Sequence, residues 1–295
     1  MIEIRIDALL PQEMATRAEY LGVRKAEMPF LKMFMLSVLA GAFIALGAIF
    51  ATTVSAGSMA ITTASGDAAF STGLPYGVTR LLAGLVFSLG LILVVVGGAE
   101  LFTGNNLIVM AWASGKVTGR ALLRNWVIVY IGNFIGAIGT AVLMFFTRQY
   151  SFGANAIGIA ALKTGIAKSD LTFLQAIALG ILCNALVCMA VWLTFSARST
   201  IDKIAAIIFP IAAFVAAGFE HSIANMYFIP YALFIKMFDV DFVNKVADKV
   251  PGLEKLTWQA FWIKNLLPVT IGNIIGGAVL VAAVYWAIFL RAEKS

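Results

Sequence analysis

The chain has 295 residues, of which 61% are hydrophobic and only 12% charged, with a formal net charge of +6. A soluble domain carries about 25% charge, so a mean hydropathy of +0.95 argues against a soluble globular domain and for a polytopic membrane protein. No basic, aromatic-laced soluble region exists to support nucleic-acid binding.

Residues 1–32 mix acids, bases and a proline without the apolar core of a secretory leader. Pro11 suits the first turn of a helix and Gly22 its end. Between them Met14, Ala15, Ala18 and Leu21 form one weakly apolar face. A short surface helix is expected, with a frayed tail as the alternative. Uncharged runs then follow over 33–66, 81–99, 101–115, 125–147, 171–197, 204–219, 222–235 and 265–290. A helix needs roughly 20 apolar residues to cross the hydrocarbon core. The region 81–113 is interrupted only by Glu100, and 204–235 only by Glu220 and His221. As straight helices each would reach roughly 50 Å. Each is therefore expected to break, at Gly97-Gly98 and Gly104-Asn105 in one and at Gly218 in the other, where glycine tolerates unusual backbone angles. The result is an all-α membrane protein of six spans, with the second and fifth broken. The expected segments are a cytoplasmic amino-terminal stretch (1–32), a six-span unit (33–290) and a short tail (291–295).

Lys and Arg set the orientation. Arg17, Arg24, Lys25, Lys32, Lys116, Arg120, Arg124, Arg198, Lys203 and Arg291 fall on short segments of one side. Bases on the other side are diluted by acids such as Asp170, Asp239 and Glu254. Both termini are expected in the cytoplasm, with the chain in the cell membrane. Cys183 and Cys188 point to different helix faces and are expected to be packing residues, not a disulfide.

One polar pattern occurs twice inside apolar sequence. GGAELFTGNN carries Gly98, Glu100 and Asn105; AGFEHSIAN carries Gly218, Glu220 and Asn225, 120 residues later. RNWVIVYIGNFIGA (124–137) matches KNLLPVTIGNIIGG (264–277) at an offset of 140, pairing Asn133 with Asn273. More weakly, Phe34 and Gly41 match Phe173 and Gly180 at an offset of 139. The unit is three spans, over 33–148 and 171–290. An odd number of crossings inverts the second copy, which puts a substrate site near the midplane at the repeat interface. Ionisable residues at that depth are costly and mark a substrate path by default. Glu100 and Glu220 are expected to cap backbone amides at the following half-helices, and Asn105 and Asn225 to tie down irregular backbone. Gly132, Gly136, Gly272 and Gly276 read as helix-packing surfaces. His221, the only histidine, sits at a break and titrates unperturbed near neutral pH, so a pore-facing role is expected. No metal cluster, nucleophile–histidine pair or paired catalytic aspartates are found, so neither a cofactor nor an enzyme is expected.

At these residues the chain resembles the formate/nitrite transporter family. The likeness runs through LLPQEMA, LKMF, FSLGLILVVVGGAELFTGN, NWVIVYIGN, LGILCNALVCMAVW, PIAAFVAAGFEHSIANMYFIP and PVTIGNIIGG. It is strongest to the family's formate channels in GFEHSIANM. The resemblance implies an aquaporin-like protomer, a homopentamer with one pore per protomer, and formate or a similar small anion as substrate. It implies that His221 is the pore histidine, with Thr103 near it. It also implies apolar constrictions at Phe87, Leu91, Val187 and Phe214, polar neighbours at Asn184 and Asn273, and a vestibule lysine at Lys168. On this basis the expected function is passage of a weak monobasic acid, proton-assisted by His221. Lys168 would concentrate anions at the outer mouth. The alternatives are nitrite, hydrosulfide or lactate as substrate, His221 as a neutral hydrogen-bond donor only, or a neutral-solute channel. A cytoplasmic enzyme partner at residues 1–32 stays open. The loop over 51–79 is longer than in the formate channels, with no counterpart for part of 57–73.

Overall fold

The computed structural model describes residues 8–56, 60–62, 68–71 and 73–291. Among the described residues, six helices are long and apolar enough to cross a membrane. They are α2 (Phe30–Ser55), α3 (Tyr76–Gly97), α5 (Gly119–Thr147), α7 (Phe173–Ser196), α8 (Thr200–Ala217) and the last helix (Ala260–Phe289). Shorter helices complete the set: α1 (Pro11–Ala26), α4 (Val109–Ala113), α6 (Ala156–Ser169), α9 (Ser222–Phe238) and α10 (Val240–Val246). The last helix contains two π-helical stretches, Ala260–Leu266 and Ile275–Ala283. Residues Ala60–Thr62 and Ala68–Ser71 pair as a short antiparallel ribbon, β1 and β2, in the long loop between α2 and α3. Positions 57–59, 63–67 and 72 of that loop lie outside the described residues.

Helix α3 stops where Gly98 takes φ 75°, and α8 stops where Gly218 takes φ 78°. Both angles lie in the left-handed region that a β-carbon disfavours. The amide two residues after each helix returns to the last turn, Ala99 N to Val94 O at 2.9 Å and Phe219 N to Phe214 O at 3.0 Å. This is the hydrogen-bond pattern of a glycine-terminated helix. After the first break come a 3-10 turn (Gly104–Ile108) and α4; after the second comes α9.

The paired glycines are interfaces. A β-carbon at Gly136 would collide with Val38 O, and one at Gly276 with Ile181 O. One at Gly132 would sit 2.5 Å from Ser37 Cβ, and one at Gly272 would collide with Ile177 O. Helices α2 and α5 thus touch backbone to backbone, as do α7 and the last helix. These contacts fix the repeat register. Val38 and Ser37 correspond to Ile181 and Gly180, an offset of 143 and not the 139 expected from Phe34 and Gly41. The difference of four residues is about one helical turn. In uniformly apolar helices a one-turn slip leaves the same face pattern, so sequence alone did not fix it.

The same offset carries Ala26, where α1 ends, onto Ser169, where α6 ends. Each repeat therefore begins with a short helix, before its first span. Helix α1 is not a frayed tail. Met14, Ala15, Ala18, Gly22 and Ala26 are buried, and Gln12 Nε2 donates to Phe289 O at 2.6 Å. That bond joins the first turn of α1 to the end of the last helix, so these two helix ends lie side by side.

Candidate functional site

At the first break, Glu100 Oε1 pairs with Lys25 Nζ of α1 at 2.8 Å, and its Oε2 accepts from Asn105 Nδ2 at 2.8 Å. Asn105 also donates to Asn125 Oδ1 at 2.9 Å, and Asn125 donates to Lys25 O at 3.0 Å. At the second break, Glu220 Oε1 pairs with Lys168 Nζ of α6 at 2.7 Å, and its Oε2 accepts from Asn225 Nδ2 at 2.7 Å. Asn225 donates to Asn265 Oδ1 at 2.7 Å, and Asn265 donates to Lys168 O at 2.9 Å. The two networks share these four bonds; in addition Lys25 Nζ donates to Asn105 Oδ1 at 2.9 Å in the first, and Asn265 Nδ2 donates to Glu220 Oε2 at 3.1 Å in the second. All four asparagines are buried, where an unpaired amide or charge is costly. These shared bonds explain why each break needs a glutamate, a lysine and two asparagines.

The glutamates do not cap backbone amides as expected; both of their oxygens are taken by lysine and asparagine side chains. Other residues do the capping. Asn133 Oδ1 accepts from Phe102 N, and Asn273 Oδ1 from Ser222 N, both at 2.9 Å. Each of these asparagines also donates to two carbonyls, Ser37 O and Glu100 O in one case and Gly180 O and Glu220 O in the other. Asn105 and Asn225 likewise serve the carboxylates, not the loop backbone. Lys25, Asn125, Asn133 and Asn265 were missed by the sequence reading. The Asn133/Asn273 and Asn125/Asn265 matches carried the signal. Lys25 gave none, because the register of the preceding helices was not visible.

His221 is the amino-terminal cap of α9. Its Nδ1 accepts from Ala224 N at 3.1 Å, and its Nε2 lies 3.0 Å from Thr103 Oγ1. A nitrogen that accepts an amide proton carries none itself, so the hydrogen bonds assign the neutral tautomer with the proton on Nε2. Nε2 then donates to Thr103, leaving the threonine hydroxyl proton free to point elsewhere. The histidine ring stacks on Phe214, centroids 5.9 Å apart, and Phe214 meets Phe87 edge-on at 5.7 Å. Thr103 is fixed in turn: its carbonyl accepts from Asn184 Nδ2 and Cys188 Sγ, both at 3.3 Å.

Two cavities approach this cluster from opposite sides. One, of about 320 Å³, is lined by Arg17, Lys25, Lys203, Glu100, Leu91 and Val94 among others. The second, of about 460 Å³, is lined by Arg80, Lys168, Glu220, His221, Phe87, Phe214 and Phe228 among others. They share no lining residue. Arg80, Ala83, Phe87, Leu91 and Val94 follow one face of α3 at helical spacing; the first three line the second cavity and the last two the first. Thr103, Val187, Asn184 and Asn273 line neither. All four are buried. The arrangement is two cation-bearing vestibules separated by an apolar plug with one imidazole at its edge. Lys168 is there, but as half of an ion pair.

The sequence of residues 12–287 matches the family model for formate/nitrite transporters. The chain is 44% identical to the formate channel FocA of Escherichia coli K12, covering 97% of this chain and 96% of that one. It is 40% identical to the formate channel FocA of Haemophilus influenzae, covering 93% and 92%. Among solved structures it is similar to a pentameric formate channel with formate bound, with a TM-score of 0.78 and 45% identity over 89% of this chain and 98% of that one.

Proposed function

The chain belongs to the formate/nitrite transporter family, and from that premise we propose that it carries formate across a membrane through a pore in each protomer of a homopentamer. The family relatives are named as channels and transporters, which favours transport over catalysis. One observation carries the reading: a histidine–threonine pair at the edge of an apolar plug between two vestibules that both bear cations. The substrate class that fits is a small monovalent anion of a weak acid. Cations draw it in, and the plug of Phe87, Leu91, Phe214 and Val187 opposes a bare charge.

The pore unit is 33–290. Residues 1–32 lie with the short tail 291–295 on the cytoplasmic face of the cell membrane, where the basic short segments also fall. The Lys25 vestibule is then the inner mouth and the Lys168 vestibule the outer one. With Lys168 neutralised by Glu220, its task is to hold the break at Glu220 rather than to steer anions.

Proton assistance by His221 follows a definite path. Nδ1 must first take a proton, which breaks the Ala224 bond and uncaps α9. Nε2 then passes its proton to formate, formic acid crosses the plug, and the ring is left neutral with its proton on Nδ1. A second reading is favoured by the Ala224 bond itself: His221 stays neutral, and Nε2–H and the Thr103 hydroxyl guide the anion as hydrogen-bond donors. Nitrite and hydrosulfide fit the same donors and are the alternative substrates.

The test is uptake of formate and of nitrite into proteoliposomes, with and without an inward proton gradient, for wild type and His221→Asn. Formate uptake that rises with the gradient, and loses that rise in His221→Asn, supports the proton path. Gradient-independent formate flux supports the neutral reading. Flux of nitrite without formate overturns the substrate.

A further inference from the structure

Besides the neutral phenol of Tyr76, four titratable side chains line the outer vestibule: Arg80, Lys168, Glu220 and His221. Lys168 and Glu220 cancel as an ion pair at 2.7 Å. His221 carries no proton on Nδ1 while it caps α9. Arg80 is left as the one uncompensated charge lining this cavity among the described residues. Its guanidinium is held at the end of α8, where Nε donates to Ala216 O at 3.3 Å and Nη2 donates to Val215 O. No carboxylate among the described residues pairs with it.

The geometry of those two bonds matters. They occupy one edge of the planar group, Nε–H and one Nη2–H. A guanidinium has five N–H donors in a rigid fork. The adjacent end-on edge, formed by Nη1 and the other Nη2–H, remains open and can take two oxygens of one planar anion side by side. Arg80 lies two turns before Phe87 on the same face of α3, roughly 10 Å along the axis at about 1.5 Å per residue. An anion on that fork sits at the head of the apolar plug, one step before His221.

We propose that Arg80 is the recognition residue of the outer vestibule, holding a planar, two-oxygen monoanion such as a carboxylate in bidentate fashion before it enters the plug. This rests on the transport function proposed above and deepens it. Charge alone draws any anion. A fork prefers carboxylate or nitrite over hydrosulfide, which offers a single acceptor atom. The backbone carbonyls of Val215 and Ala216 keep the fork oriented, so recognition is tied to the end of the broken helix.

The experiment is concentration-dependent influx into proteoliposomes for wild type, Arg80→Lys and Arg80→Gln, with formate and with hydrosulfide as anions, alongside thermal melting of the purified protein. Arg80→Lys keeps the charge and removes the fork. The expected result is a rise of about tenfold in the half-saturating formate concentration, the weight of one charge-assisted pair. The maximal rate and hydrosulfide influx stay near wild type, and Arg80→Gln weakens both anions. An unchanged half-saturation for formate in Arg80→Lys overturns the proposal. Equal losses for formate and hydrosulfide, with a lowered melting temperature, overturn it in favour of a purely structural arginine. If wild type passes nitrite and not formate, the substrate reading fails, and the same comparison run with nitrite still decides the role of Arg80.

Discussion

His221 and Thr103 show how single residues break a near-perfect repeat. At the offset of 120, His221 corresponds to Leu101 and Thr103 to Ile223. Each polar group of the pair stands where the other repeat has an apolar one, while the flanking glutamates and asparagines are duplicated. The duplicated glutamates and asparagines join in the buried side-chain networks at the two breaks; of the unduplicated pair, His221 stacks on Phe214 and Thr103 lies against its Nε2. Lys168 belongs to the first class. Glu220 is buried and the Lys168 side chain only 16% exposed, so removing one partner strands the other's charge. Lys168→Ala is expected to cost roughly 3 kcal/mol or more, read as a lowered melting temperature in detergent. Lys168→Ala combined with Glu220→Gln should recover most of the loss. Full stability of the single variant would mean the pair is solvated.

At the scale of elements, helix ends are joined by polar clusters rather than by long apolar loops. Outside the spans, Asp239 caps α10 by accepting from Phe242 N at 3.0 Å. Its other oxygen accepts from Tyr150 Oη at 2.6 Å and Arg148 Nη2 at 3.0 Å. Partial burial pushes the carboxyl up, but the Tyr150 and Phe242 hydrogen bonds and the Arg148 charge outweigh it and hold Asp239 below the usual carboxylate range. A depressed carboxyl contributes stability above its unfolded value of about 4 and loses it as pH falls through the lower folded value. Asp239→Asn should therefore melt below wild type at neutral pH, with the gap closing below about pH 4. A gap constant from neutral to acid pH would assign the loss to packing.

For the whole molecule, the relevant unit is a short helix plus three spans, used twice. Helix α1 supplies Lys25 to Glu100 as α6 supplies Lys168 to Glu220. Arg124 Nη1 reaches Met28 O at 3.2 Å and Lys116 pairs with Glu19, so α1 is also tied to the segment that follows the first break. Deleting residues 1–27 is expected to leave Glu100 buried without its cation and to lower both melting temperature and yield of assembled protein on size exclusion. Unchanged melting and elution would make α1 an appendage.

The six spans, the two breaks and the doubled Gly-x-Glu-x4-Asn pattern were legible in the sequence. Apolar length, positive-φ glycines and costly buried carboxylates each leave a local mark there. The tautomer of His221, the pairing of Lys25 with Glu100, the repeat register of 143 and the open edge of Arg80 were not legible. The tautomer rests on the Ala224 amide, which is presented to His221 only once α9 forms; the other three depend on residues dozens to more than a hundred positions apart, in helices whose uniform apolarity hides a one-turn slip. Backbone-to-backbone contact at Gly136 and Gly276 permits only one such register, and that contact exists only once the helices are packed.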